Sequence, residues 1–167
     1  MRIPIFVSCP TALNRKQESA RNIILSELKR MQLEPRALGR SDYPTESPLR
    51  EVYVIAKHCS GGIILGFEQS FAKSVLVKRG IPRKQGTMRN VSMPTSWNHL
   101  EAGILFGMNL PLLVFKEDGI SGGVFDEGVT DNYIHKMPTK HLDATQKRGL
   151  ADVFLKWQYR VRNHYYG

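Results

Sequence analysis

Apolar residues in this chain come in two arrangements, short unbroken runs and stretches where they return every third or fourth position, and the two alternate along its length. The runs at 3–7 (Ile-Pro-Ile-Phe-Val), 62–66 (Gly-Ile-Ile-Leu-Gly) and 110–115 (Leu-Pro-Leu-Leu-Val-Phe) lack polar alternation, as expected of parallel strands covered on both faces. A shorter run at 33–38 contains Pro35, which cannot donate to a ladder and so belongs near a sheet edge. A fifth, short strand is predicted at 133–137. Between the first two runs Ala20, Ile23, Ile24, Leu28 and Met31 recur at helical spacing, with Arg15, Lys16, Glu18, Arg21, Glu27 and Lys29 interleaved and Asn14 as N-cap. Ser47-Pro48-Leu49-Arg50-Glu51 opens a second helix, buried through Leu49, Val52, Ile55 and Ala56 and ending around 58–61. Trp97, Leu100, Ile104, Leu105 and Met108 predict a third helix over 97–108 with Asn109 as a left-handed C-cap, and Leu150, Val153, Phe154 and Trp157 a fourth over about 145–163.

Strand and helix alternating with short joints predict a parallel, doubly wound α/β sheet of four to five strands with helices on both faces, in one domain spanning 1–167. Residues 67–93 fit neither period. With Gly80, Pro82 and Gly86 as breakers, they are expected to form an inserted basic loop ahead of the third helix, with at most a short strand or helix near 75–77. Ligands of such sheets bind beyond the carboxyl ends of the strands, so the loops 8–11, 39–45, from 66 onward and 116–125 should share one rim.

Composition narrows the class. Hydrophobic residues make up 41% and charged residues 23%, ordinary values for a globular domain. Cys9 and Cys59 are too few for a disulfide framework and are expected to be buried free thiols, and no metal-ligand spacing occurs. Without a cleavable leader or an apolar stretch near ~20 residues, a cytoplasmic location and no membrane partner are expected. The excess of 24 Lys and Arg over 15 Asp and Glu, a net +9, favours phosphate-bearing ligands or polyanions and keeps nucleic acid open as a less favoured partner.

The familiar phosphate cradles are missing, since neither Gly-x-Gly-x-x-Gly nor Gly-x-x-x-x-Gly-Lys-Ser/Thr occurs, and there is no Gly-x-Ser-x-Gly elbow. What remains is Glu101, four residues after Trp97 and thus on the same helix face. A carboxylate desolvated beside an indole has a raised pKa and can stabilise a developing cation; the plainer alternative is a surface glutamate paired with a basic neighbour. His99 lies two residues away on a different helix face, and Glu117-Asp118-Gly119 is a second acidic group at the rim, or simply a solvated turn. The cations of 67–93 fit either a solvated loop or a lid that meets a pyrophosphate or an acidic partner.

A first strand ending in Ser8, the polar loop 39–45, a helix leading to Ile63-Ile64-Leu65 and then Trp97-x-x-x-Glu101 resembles the Toll/interleukin-1 receptor (TIR) domains. Cys59-Ser60-Gly61-Gly62-Ile63-Ile64, Glu101-Ala102-Gly103-Ile104 and Leu110-Pro111-Leu112-Leu113-Val114 are similar to nucleoside 2-deoxyribosyltransferases. The likeness covers roughly 3–117. It implies a flavodoxin-like core and a glutamate acting at an anomeric carbon, which falls on Glu101. It further implies that Ser8, Cys9, Pro10 and Thr11 line ribose or phosphate, that Asp42 and Tyr43 belong to a mobile loop closing the site, and that Trp97 and Asn98 lie beside the glutamate. NAD or a related nucleotide would then be a substrate rather than a cofactor, cleaved or transferred at its N-glycosidic bond to make a signalling nucleotide in bacterial antiphage defence. Self-association and a partner effector protein accompany that reading. The transferases would instead exchange bases on deoxynucleosides, a nucleoside hydrolase would release the base to water, and a non-enzymatic adaptor or nucleotide sensor would use Glu101 structurally.

Overall fold

The computed structural model describes residues 2–42 and 47–167. Five parallel strands form its central sheet: β1 (Ile3–Ser8), β2 (Leu33–Arg36), β3 (Gly62–Gly66), and, once two intervening strands β4 (Ser70–Val77) and β5 (Gly86–Met93) are passed, β6 (Leu112–Lys116) and β7 (Ile134–Lys136). Their spatial order is β2-β1-β3-β6-β7. With the β4–β5 pair set aside this is the flavodoxin-like 2-1-3-4-5 arrangement, as expected. Pro35 sits on edge strand β2 opposite Ile5, where its missing N–H need not serve a further strand.

Helices α1 (Arg15–Arg30) and α4 (Ala144–Tyr166) cover one face of the sheet, α2 (Pro48–Lys57) and α3 (Ser96–Gly107) the other. Side chains alternate across β1: Ile3, Ile5 and Val7 join Ile24, Leu28, Phe154 and Trp157, whereas Phe6 joins Val52, Ala56, Ala102 and Leu105. The same alternation turns Ser8 toward α3. Asn14 closes a capping box with Gln17 at the start of α1, and Asp143 does so with Gln146 at the start of α4. Asn109 ends α3 at φ +57°, the left-handed conformation asparagine tolerates.

Close approach explains two glycines of β3. A Cβ on Gly62 would lie 2.7 Å from Leu105 Cδ1, and one on Gly66 would lie 2.4 Å from Phe125 Cε1. Their absence lets α3 and the 3-10 turn Gly123–Phe125 press onto the sheet.

Four expectations need correction. Residues 67–93 are no irregular loop: β4 and β5 pair antiparallel from Ser70↔Met93 to Val77↔Gly86. None of their sixteen residues is fully buried, so no face was required to be apolar and the two-residue period was erased from the sequence. In α2, Leu49 is 46% exposed, because the helix meets Phe6 and Ile64 only from Val52 onward. In α3 the predicted stripe holds only in part: Leu105 is buried with Ile104 and Met108 packed beside it, but Trp97 and Leu100 are exposed, and Asn98, Glu101 and Ala102 face the sheet instead. Cys59 is buried as expected, but Cys9 is only partly so.

Candidate functional site

The inward face of α3 meets the end of β1. Thr95 caps the helix by accepting from the Trp97 N–H, which sets its first turn beside the strand end. Asn98, fully buried, then reaches 90 positions back along the chain: its Nδ2 donates to Ser8 Oγ at 2.8 Å and to the Ser8 carbonyl at 3.4 Å. Ser8, also fully buried, is the neighbour whose hydroxyl favours the ionised form of the Glu101 carboxyl, one helical turn beyond Asn98. An amide thus orients a hydroxyl beside a carboxyl.

Glu101 is 8% exposed. Burial pushes its carboxyl up from 4.5 to about 7, with the Ser8 hydrogen bond partly opposing the rise. The expected desolvation is therefore present, although its source is the seating of the Asn98–Glu101–Ala102 face rather than the half-open indole of Trp97. Near neutrality such a group is divided between acid and base, the condition under which one carboxyl can both take and give a proton.

Around this centre the loop 8–11 is fixed by a cation. Arg40 donates to the carbonyls of Pro10 (2.9 Å) and Thr11 (2.9 Å) and pairs with Glu18 at 3.0 Å. Burial pushes the Cys9 thiol up to about 11, against the pull of Arg40 and Arg21, and the same thiol also feels the charge of Glu101. Arg21 touches Glu18 at 3.6 Å, and among the described residues its buried Nε and the buried Oδ1 of Asn98 have no partner. Unsatisfied buried polar atoms are costly and rare in folded chains, and two of them lie in this small region.

The remaining residues named from the sequence fall as follows. Pro10 is buried and Thr11 exposed. Asp42 is engaged by Arg36 and by the Ser41 hydroxyl, and the Arg36 guanidinium holds its carboxyl below the usual range. Tyr43 lies outside the described residues. His99 points to the other side of α3, edge-on to Phe125 with ring centres 5.5 Å apart. Glu117 is no free rim acid: its Oε2 accepts from Gln17 Nε2 (3.0 Å) and from the Glu68 N–H (2.6 Å). Ser8, Asn98 and Glu101 are thus brought into direct contact, while Asp42 is committed elsewhere.

Arg21 and Arg40 were missed as site residues. Arg21 reads as part of the polar side of α1, yet its spacing of four from Gln17, itself buried, puts both at the margin of the inward stripe. No comparable signal in the sequence marks Arg40.

A separate cleft of about 960 Å³ opens where α1 begins and β6 and β7 end, lined by Arg15, Lys16, Lys116, Glu117 and Lys136 among others. Neither Ser8, Asn98 nor Glu101 lines it. Its walls come from the α1 side of the sheet, so the buried Glu101 carboxyl and this cleft are distinct features. Among the described residues no group of His, Cys, Asp and Glu could hold a metal ion, and no helix is long and apolar enough to cross a membrane.

No protein-family model matches the sequence, and no curated protein matches it either. Among solved structures, the CMP N-glycosidase BcmB of Clostridium botulinum is similar in fold, with a TM-score of 0.52 at 11% identity over 90% of this chain and 98% of that one. At that identity the likeness concerns the arrangement of the chain.

Proposed function

We propose that this protein breaks the N-glycosidic bond of a nucleotide, with Glu101 acting at the anomeric carbon. The carrying observation is the buried Glu101 carboxyl, poised near neutrality and held by Ser8 at the carboxyl end of β1. Two further findings support the reading: the fold likeness to a protein described as a CMP N-glycosidase, and the guanidinium of Arg21 near the 8–11 loop, whose Nε has no partner among the described residues and would suit a phosphate.

In this mechanism the C1′–N bond breaks with its electron pair leaving on the base, which takes up a proton. The oxocarbenium-like sugar is met by the ionised Glu101, either as a stabilising charge or as a nucleophile forming a C1′–O ester. Water, or the nitrogen of a second base, then attacks C1′ and releases the carboxylate. Ser8 and Asn98 act as positioning residues.

The substrate is a nucleoside monophosphate in the form the fold likeness favours. The order of Ser8, the 39–45 loop and Trp97-x-x-x-Glu101 favours a second form of the same chemistry, cleavage of NAD to a signalling nucleotide by a self-associating, TIR-like defence protein. Incubation with CMP and other nucleoside monophosphates, with NAD, and with deoxynucleosides plus free base, followed by chromatography of the released base, separates these forms. Base should be released from at least one class and lost on Glu101→Gln. No release from any of them at high protein concentration, or undiminished turnover in the variant, would refute the proposal.

A further inference from the structure

We infer that the β4–β5 ribbon is a nucleic-acid-binding arm that docks its basic tip against duplex DNA. The inference stands independently of the glycosidic reading.

The ribbon leaves the sheet after β3 and returns at α3, and its root is firmly held. Gln69 N–H donates to the Met93 carbonyl (2.8 Å), the Ser92 hydroxyl to Glu68 (2.6 Å), the Glu68 N–H to Glu117, and Ser92 bridges to Ile120. Beyond that root β4 and β5 pair only with each other, and none of their residues is fully buried. A two-stranded ribbon of this kind is marginal in water by itself, and strands of eight residues extend it roughly 25 Å.

Its charge is one-sided. Residues 70–93 contain Lys73, Lys78, Arg79, Arg83, Lys84 and Arg89 and no acid, so six of the nine net charges of the chain lie here. None of the six makes an ion pair among the described residues. Four of them occupy the turn between the strands, where Lys78 and Arg83 adopt positive φ and Ile81 is exposed at the tip. Lys73 and Arg89 project from opposite faces, since Lys73 alternates with Ser74, which pairs with Arg89.

Three occupants compete for such an arm. A second copy would bring two sets of six like charges together, which costs energy wherever they meet. A lipid surface needs its apolar side chains on one side, but the pairing puts Phe71 and Met88 on one face and Leu76 and Met93 on the other. Duplex DNA fits both features: its major groove, about 12 Å wide, admits a two-stranded ribbon, and cations on both faces and at the tip meet the phosphates of both walls. The deep, narrow major groove of A-form RNA does not admit it.

The test is fluorescence anisotropy of a labelled duplex of about 25 base pairs with the full chain, across a salt series. Wild-type protein should bind at 50 mM salt, with log K falling against log salt at a slope near about −5 if all six cations meet phosphates. Arg83→Glu/Lys84→Glu/Arg89→Glu should weaken binding at least tenfold and roughly halve the slope. The charge-matched control Lys147→Glu/Arg148→Glu/Lys156→Glu, on the exposed side of α4, should weaken it less than threefold. Hydrogen exchange on the wild-type protein provides a readout free of substitutions, with protection of 70–93 expected when DNA is added. Absence of binding at 50 mM salt, equal loss in both variants, protection confined to other segments, or binding to phosphatidylserine vesicles but not to DNA would each overturn the inference.

Discussion

Asn98 and Ser8, 90 positions apart, are joined by a 2.8 Å hydrogen bond from an amide nitrogen to a hydroxyl oxygen, and neither side chain has measurable exposure. That bond occupies the lone pair side of the Ser8 oxygen and leaves its proton for Glu101. A carboxyl sealed into the junction of β1 and α3 would otherwise be pushed higher still, because the hydroxyl is the group that favours its ionised form.

Ser8→Ala should therefore raise the Glu101 pKa beyond about 7. If the ionised carboxylate acts at C1′, the acid limb of the kcat/KM profile should move to higher pH, with the plateau rate at alkaline pH less affected than the rate at pH 6. The variant should also lose about 1–3 kcal/mol of stability, since Asn98 Nδ2 loses its better partner in a buried place. A pH profile superimposable on the wild type would separate Ser8 from the titration of Glu101.

Packing at the carboxyl end of β3 makes a second prediction. Gly66→Ala places a Cβ 2.4 Å from the ring of Phe125, which is fully buried, so the turn 123–125 must shift and stability should fall by about 1–3 kcal/mol. Gly103→Ala on the exposed side of α3 meets nothing within 4 Å and should gain up to about 1 kcal/mol from helix propensity. Urea unfolding of the pair checks both signs, and a stable Gly66→Ala protein would mean that Phe125 is not the constraint described.

How much of this was legible follows from what burial imposes on a sequence. Strands covered on both faces must be continuously apolar, and β1, β3 and β6 were read from that feature, as α1 was from its stripe and its Asn14 cap. The ribbon escaped because none of its residues is fully buried, so Phe71, Lys73 and Val75 could follow one another without an alternating pattern. In α3 the apolar periodicity misled: Trp97 and Leu100 satisfy helical spacing but face outward, and the inward stripe carries Asn98 and Glu101. Hydrophobic patterning assumes that the polar side faces water, an assumption that fails where polar groups satisfy one another through a distant partner such as Ser8. Arg40 could not be found for the same reason, its role being fixed by carbonyls 29 and 30 positions away.

Stability against pH offers a check on Glu101 that needs no substrate. Its folded pKa of about 7 lies above the unfolded 4.5, so the native state holds this proton more tightly. The contribution is fully present below about 4.5 and is lost as pH rises through 7, reaching a penalty of about 3 kcal/mol for holding the buried charge in alkaline solution. Gln at this position can still accept from Ser8 but has no proton to lose. Glu101→Gln should accordingly be more stable than wild type at pH 8, with the advantage shrinking toward pH 4.5. His135, whose pKa burial lowers from 6.5, loses stability in the opposite direction as pH falls, but it does so in both proteins and cancels from their difference. Urea unfolding of the two proteins at several pH values gives that difference directly. Parallel curves between pH 4.5 and 8 would mean that the carboxyl titrates as it does in water, and the desolvation of Glu101 described above would be refuted.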